Sequence, residues 1–521
     1  MFQYPAQDAL AAQVRAVPYD RVCAVGFPLL ALSLFMLSTH HGIGILPDST
    51  RYMSLAARPW DAPIYPALLQ LAAASGIDIA TGAWGIGLIV SALNAFLIWF
   101  ILREASGRTG YAALGTALVA IAPQSVALHA LAMSEPLFLT MILSTFVALL
   151  HYLRSDDRRW LLAVGSGVGL ASLVRFTGPP LGAAIAVFLL ILPRHPMQHR
   201  IGDVLCILLP SALLFLGWAS LSEWLMGRST GRPLQWYGNM TAEDWLTSFN
   251  SLTAWIVPDE VPFAIRGALF LMAVTASMTL LVRHARRMLA RAQTGQMEPS
   301  LLAISLGLFF FTYLGFIVLA TSIEANLHLN SRYAYPVYCT SIMAMTIVLA
   351  HMAARSGRVR KMHGALVGLA MFMLVSHALR TADRTHQAYR EGIGFASLQW
   401  TQSPILAAVR RLPADAALYS NGPDAIGYVL RRHVRNIPAH ILLRTGREDP
   451  AFPYAAQLAE TRAALAHGNA YVVFLNNVDW RFYMASEDEL TRLLNLHLVA
   501  RRIDGSIYCG GSAAAIAGER R

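Results

Sequence analysis

Lysine is nearly missing from these 521 residues: Lys361 stands alone among 41 basic side chains, the rest being arginine. Charge of any kind is scarce, at 14% of the chain against 56% apolar, where soluble proteins carry about 25% charged residues. With a mean hydropathy of +0.47, this balance excludes an ordinary soluble class and points to a polytopic membrane protein. Cysteine is sparse as well. Cys23, Cys206, Cys339 and Cys509 lie far apart, three of them in or beside apolar runs, which excludes a disulfide framework and a zinc spacing. No cleavable signal is evident either. Residues 1–21 are polar and include Arg15 and Arg21, and the apolar run at 22–39 lacks a small-residue cleavage site, so it is expected to stay as an anchor.

What the chain does have is long apolar runs. Stretches long enough to span fall near 22–39, 83–102, 111–128, 136–153, 160–176, 180–193, 203–226, 263–282, 301–321, 333–354 and 364–380, eleven in all. The net charge of +11 would suggest nucleic acid in a soluble protein. Here the arginines gather in short loops between apolar runs, where they set orientation instead, so no nucleic-acid partner is expected. With the N-terminus inside, 17 basic residues fall in the cytoplasmic loops and 6 in the opposite ones. That bias predicts a multi-pass membrane protein with everything after about residue 381 outside.

The expected organisation is a transmembrane domain over 1–381, with outer loops at 40–82 and 227–262, and an extracytoplasmic domain over 382–521. In the latter, short apolar runs at Ala417–Tyr419, Tyr471–Leu475 and Leu496–Ala500 alternate with helix-like stretches at 454–466 and 487–494. The fold class is therefore mainly α, a polytopic bundle with a small C-terminal α/β domain. In that domain Asn421-Gly422-Pro423-Asp424 reads as a turn opening a helix; a phosphate-binding loop is the less ordinary alternative. Its expected work is to cover the cavity or present an acceptor.

Under this topology the ionisable residues Asp48, Arg51, Asp61, His129, Glu135, Arg175, Glu324, His328 and Arg332 collect at the outer membrane face, at helix ends or in short loops. A transporter keeps such groups near the midplane, so their placement favours an interfacial active site. Asp48 follows the first span closely, in Pro47-Asp48-Ser49-Thr50-Arg51-Tyr52; its plainer role is to cap a short helix. Glu135 precedes the fourth span in Ser134-Glu135-Pro136-Leu137, where Ser134 as cap and a carboxylate at the helix start would also explain it. Arg175 and Arg332 stand at outer helix ends against the charge bias. Arginine's fork suits phosphate, and snorkelling to headgroups is the plainer account. Trp236, Tyr237, Trp245 and Trp255 crowd the second outer loop, as an aromatic belt or as a surface for a sugar or lipid.

Taken together, Asp48-Ser49-x-x-Tyr52 after the first span, Tyr65-Pro66 in a proline-rich stretch, Ser134-Glu135-Pro136-Leu137, Arg175-x-Thr177-Gly178 and Arg332-Tyr333-x-Tyr335-Pro336 resemble the GT-C integral-membrane glycosyltransferases. The resemblance covers about residues 22–350 and is nearest the bacterial branch related to protein O-mannosyltransferases and lipid A aminoarabinose transferases. The tail motif Tyr419-Ser420-Asn421-Gly422-Pro423-Asp424 is similar to tails of that branch. The resemblance implies a GT-C-like fold and transfer of a sugar from a polyprenyl-phosphate donor to an extracytoplasmic glycan, lipid or protein acceptor. It carries the family's first-loop acid onto Asp48, as base or organiser, and its second acid onto Glu135. Arg175, Arg332, His328, Arg51 and Tyr52 are expected around the donor phosphate, and Trp236, Tyr237 and Tyr333 along the sugar or acceptor. Many members carry two adjacent acids in the first loop. Here Ser49 follows Asp48, so no metal ligand is assigned, although a divalent cation is compatible with the family. The alternatives are a transporter or flippase of lipid-linked sugars and a non-catalytic partner in cell-envelope polymer assembly.

Overall fold

The computed structural model describes residues 6–54, 61–227, 236, 241–258, 260–323, 329–352, 358–443 and 445–510. His328, Glu324 and Tyr237 lie outside them. Each of the eleven expected spans is helical. Eight described helices are long and apolar enough to cross a membrane, and a ninth is a bent pair, Thr109–Ala120 with Pro123–His129, that meets at 58°. The bend has a local cause. Proline lacks an N–H and disfavours helical backbone in the residue before it, and Ala122, before Pro123, is extended at ψ 131°. Arg159–Val174 and Pro179–Ile191 are the remaining two, shorter and apolar.

The last long helix, Arg358–Glu391, carries on past 381 and leads to the C-terminal domain. There five strands, β1 (Ala417–Ser420), β2 (Arg435–Asn436), β3 (Ala470–Leu475), β4 (His497–Arg502) and β5 (Gly505–Cys509), form one sheet in the order β2-β1-β3-β5-β4. β1 runs parallel to β2 and β3, and β5 antiparallel to β3 and β4. The helices Tyr454–Ala466 and Glu487–Leu493 coincide with the expected ones. β3 and β5 are almost wholly buried, which is why their apolar runs are continuous rather than alternating.

Three loops at one end of the bundle are stitched by backbone hydrogen bonds. Gly44 N donates to Ala130 O at 2.8 Å, Ala132 N to Gly44 O at 2.9 Å, and Phe395 N to Ile45 O at 2.8 Å. The middle strand of this ladder leads into the short helix Pro47–Tyr52, and the second leads into the helix that starts at Glu135. At Gly394 φ is +57°, and a Cβ would stand 2.2 Å from the Ile45 carbonyl oxygen. Only glycine fits there, since both the backbone conformation and the approach exclude a side chain. Gly394→Ala is expected to destabilise the protein by at least about 1 kcal/mol, read as a lower unfolding temperature of the detergent-solubilised chain. An unchanged transition would mean that the stitch adds nothing to stability.

Candidate active site

A helix of six residues is marginal by itself, and Pro47–Tyr52 is held by what its side chains meet. Ser49 Oγ accepts from Leu46 N at 3.0 Å, and Tyr52 Oη lies 3.4 Å from Ser134 Oγ. The Tyr52 ring meets the Tyr65 ring edge-on at 5.4 Å, which ties the first-loop helix to Ile64–Ala74. Asp48 does not cap this helix. It sits in the first turn with its carboxylate directed at two guanidinium groups, Arg51 Nη1 at 2.6 Å and Arg332 Nη2 at 2.5 Å.

From there the charges alternate. Arg51 also grips Asp61 with two bonds, Nε to Oδ2 at 3.1 Å and Nη2 to Oδ1 at 3.0 Å. Arg332 Nε is paired with Glu135 Oε1, which also receives Arg175 Nη1 at 2.9 Å. The order is Asp61, Arg51, Asp48, Arg332, Glu135, Arg175: three carboxylates and three guanidinium groups in one chain. Tyr333 packs between two of the cations, its ring centre 5.5 Å from the Arg175 guanidinium carbon and 5.6 Å from that of Arg332, a geometry that favours cations over an aromatic face.

Exposure is uneven along this chain: Asp61 at one end is as covered as Arg175 at the other, and the opening lies between them at Arg51, Asp48 and Arg332. Glu135 and Arg175 are closed off, with side chains 2% and 10% exposed, whereas Arg332 and Arg51 are 25% and 33% exposed. Arg175 therefore does not snorkel; it serves a buried acid. Glu135 Oε2 is buried without a hydrogen-bond partner, so half of this carboxylate's capacity stays open. Ser134 does not cap its helix. Its hydroxyl accepts from Arg175 Nη1 at 3.1 Å instead. For Asp48, burial alone would raise the carboxyl pKa, but Arg332 and then Arg51 hold it down at about 2.

Two supporting residues were not legible as site residues. Asn94 donates to the Pro136 carbonyl at 2.9 Å and to His129 Nε2 at 3.1 Å, and Thr140 donates to Asn94 Oδ1 at 2.8 Å. This fixes the first turn that carries Glu135; a lone amide inside the apolar run 83–102 was the available signal. Asp61, grouped by sequence with the other outer-face charges, joins the chain through Arg51. Trp236 is described but 63% exposed, with Tyr237 and His328 outside the described residues. Trp255, by contrast, packs against Tyr338 at 5.4 Å. Among the described residues no group of three metal-ligand side chains gathers. Guanidinium groups occupy both oxygens of Asp48 and of Asp61, which leaves only Glu135 Oε2 open, a poor donor set for a divalent ion, and no step is assigned to a metal.

The helical bundle with its small C-terminal α/β domain has the fold of solved GT-C proteins. The family profile described as dolichyl-phosphate-mannose-protein mannosyltransferase matches residues 61–219. Among solved structures, the chain is similar to ArnT from Cupriavidus metallidurans in the apo state, at 13% identity over 96% of this chain and 98% of that one, with a TM-score of 0.54. It is similar to the same protein bound to undecaprenyl phosphate, at 14% identity over 93% and 97%, TM-score 0.53. The archaeal oligosaccharyltransferase AglB from Archaeoglobus fulgidus, in complex with an inhibitory peptide and a dolichol-phosphate, aligns at 14% identity over 88% and 70%, TM-score 0.52. No curated protein sequence matches.

Because Glu135 is buried and shared, Glu135→Gln leaves two arginines facing a neutral amide and should cost about 3–5 kcal/mol of stability. Asp48→Asn, in the open stretch, should cost much less. The Asp48 effect should also depend on pH in a defined window. A carboxyl depressed from about 3.9 to about 2 contributes stability above pH 4 that is lost as pH falls toward 2. The stability difference between wild type and Asp48→Asn should therefore be flat near neutrality and shrink in that acid range; a difference that shrinks near pH 6 would contradict the assigned pairing.

Proposed function

We propose that this multi-pass membrane protein transfers a sugar from a polyprenyl-phosphate-linked donor to a hydroxyl acceptor at the extracytoplasmic face. The observation that carries the proposal is the alternating chain of acids and arginines, closed at Glu135 and Arg175 and open at Asp48, Arg51 and Arg332. The donor's leaving group is a phosphate that needs cations. The acceptor hydroxyl needs a base. Asp48 supplies the base and Arg332 and Arg51 the cations, each within bonding distance of Asp48. ArnT and AglB have each been solved with a polyprenyl phosphate, which supports the same ligand class here.

In the unliganded pairing Asp48 is too acidic to serve as a base. A phosphate arriving at Arg51 and Arg332 competes for those guanidinium groups, and as they turn to it the Asp48 carboxylate regains basicity. Asp48 then takes the acceptor's proton as its oxygen attacks the anomeric carbon. The bond from that carbon to the phosphate oxygen breaks, and polyprenyl phosphate leaves, held by the arginines. Glu135 keeps Arg175 and Arg332 charged and in register behind this exchange. An apolar cavity of about 180 Å³, lined by Tyr111, Trp255, Phe270, Phe310, Tyr338 and Met373 among others, suits the lipid chain. Arg332 and Tyr338 share one helix, six residues and about 9 Å apart, so a phosphate at the first and a tail at the second are compatible. A transport route is less well supported, since the chain of charges gathers helix starts and loops rather than lining a path.

With purified protein and a polyprenyl-phosphate sugar, Asp48→Asn should lower turnover about 10²–10⁴-fold, and Arg332→Ala should weaken donor use by about 1.5–3 kcal/mol. Arg283→Ala, in the far half of its helix, should leave donor use intact. Release of polyprenyl phosphate reads all three, and near-normal turnover in Asp48→Asn would remove the assigned base. The orientation has its own check. A reporter active only in the cytoplasm, fused after residue 390, should be silent, whereas a strong signal would put the site on the inner face.

A further inference from the structure

The proposed chemistry leaves Asp424 and Arg481 unused. Asp424 stands in the first turn of the helix after β1 and Arg481 in the loop after β3, at the carboxyl ends of parallel strands, the edge where α/β sheets ordinarily place their working residues. Here that edge is turned onto the first-loop helix. Asp424 Oδ1 lies 3.4 Å from Thr50 Oγ1, a hydroxyl shared with the Pro47 carbonyl at 2.8 Å. The other carboxylate oxygen is paired with Arg481, which donates from Nη1 to Asn436 Oδ1 at 2.9 Å. Both members of the pair are nearly covered, at 12% and 9% exposed.

The turn that leads into Asp424 is braced for this task. Asn421 ties it to the end of β3, donating to Leu475 O at 2.9 Å and accepting from Leu475 N at 2.8 Å. Gly422 N donates to Ser420 Oγ at 3.0 Å, and Pro423, which has no N–H, opens the helix. At the far end of the same helix, Pro423–Leu430, Arg431 reaches Asp78 of the membrane domain at 3.4 Å. Burying an ion pair is a weak way to add stability, and its best-attested use is to specify one arrangement. The arrangement specified here is that of Thr50, two residues from Asp48 and one from Arg51.

We propose that Asp424 and Arg481 are positioning residues, fixing the helix Pro47–Tyr52 against the C-terminal domain so that this domain sets where Asp48 and Arg51 stand. Its effect on ligand binding rests on the phosphate reading of the site. The test uses the full chain in detergent, with Asp424→Asn, Arg481→Gln and the milder Thr50→Val, and has two readouts. Amide hydrogen exchange at residues 50–54 should quicken about tenfold in each variant, while β1, β3 and β5 keep their protection. Binding of undecaprenyl phosphate should weaken by about tenfold. Unchanged exchange at 50–54 overturns the proposal. So does quickened exchange with unchanged binding, provided that Arg332→Gln does weaken binding. If Arg332→Gln also leaves binding unaltered, it is the phosphate reading that fails, and the exchange result alone decides whether the pair holds the helix.

Discussion

A buried carboxylate needs charged partners to replace its lost hydration, and Glu135 draws Arg175 and Arg332 onto one oxygen. The geometry of the rest of the site follows from this. Arg332 is pinned at one end by Glu135, so its remaining nitrogen reaches Asp48. Asp48 then orients Arg51, and Arg51 closes on Asp61. Removal of one member leaves its neighbours mispaired, which couples residues drawn from four separate parts of the chain.

The chain is electrically balanced, and that balance has a consequence for a phosphate ligand. No cation stands idle, so an incoming anion displaces a carboxylate from an arginine rather than filling a vacant site. The exposed middle is where displacement costs least, because charges near water are weaker partners than buried ones. The same act that seats a phosphate at Arg332 and Arg51 would release Asp48. Under the proposed function, recognition and activation would thus fall on one set of contacts.

The backbone contributes as much as the charges. The Gly44, Ala132 and Phe395 amides bind three loops whose residues are roughly 90 to 350 apart in the chain, an order of separation at which no local propensity acts. The ladder brings the first-loop helix and the Glu135 helix start side by side before any side chain is considered. The C-terminal domain joins the same end through Thr50, Asp424 and Arg481.

The sequence by itself determined the apolar helices, the α/β character of the tail and which acids and arginines stand at the helix ends, since hydropathy, period and charge are local properties. Asp48, Glu135, Arg175 and Arg332 were all marked by standing at helix ends where charge is unusual. Tertiary structure alone decided how they pair. Whether Arg332 serves Asp48, Glu135 or both depends on two loops meeting, and no spacing along the chain encodes that. The same holds for Ser134 and Asp48, whose positions suit helix caps but whose polar atoms turn to Arg175 and to Arg51 with Arg332, because a guanidinium in a poorly hydrated site competes better for an oxygen than a backbone amide does. Asn94 and Arg481 were unmarked for a related reason. Each acts by touching a residue from another element, and only the folded chain brings those elements together.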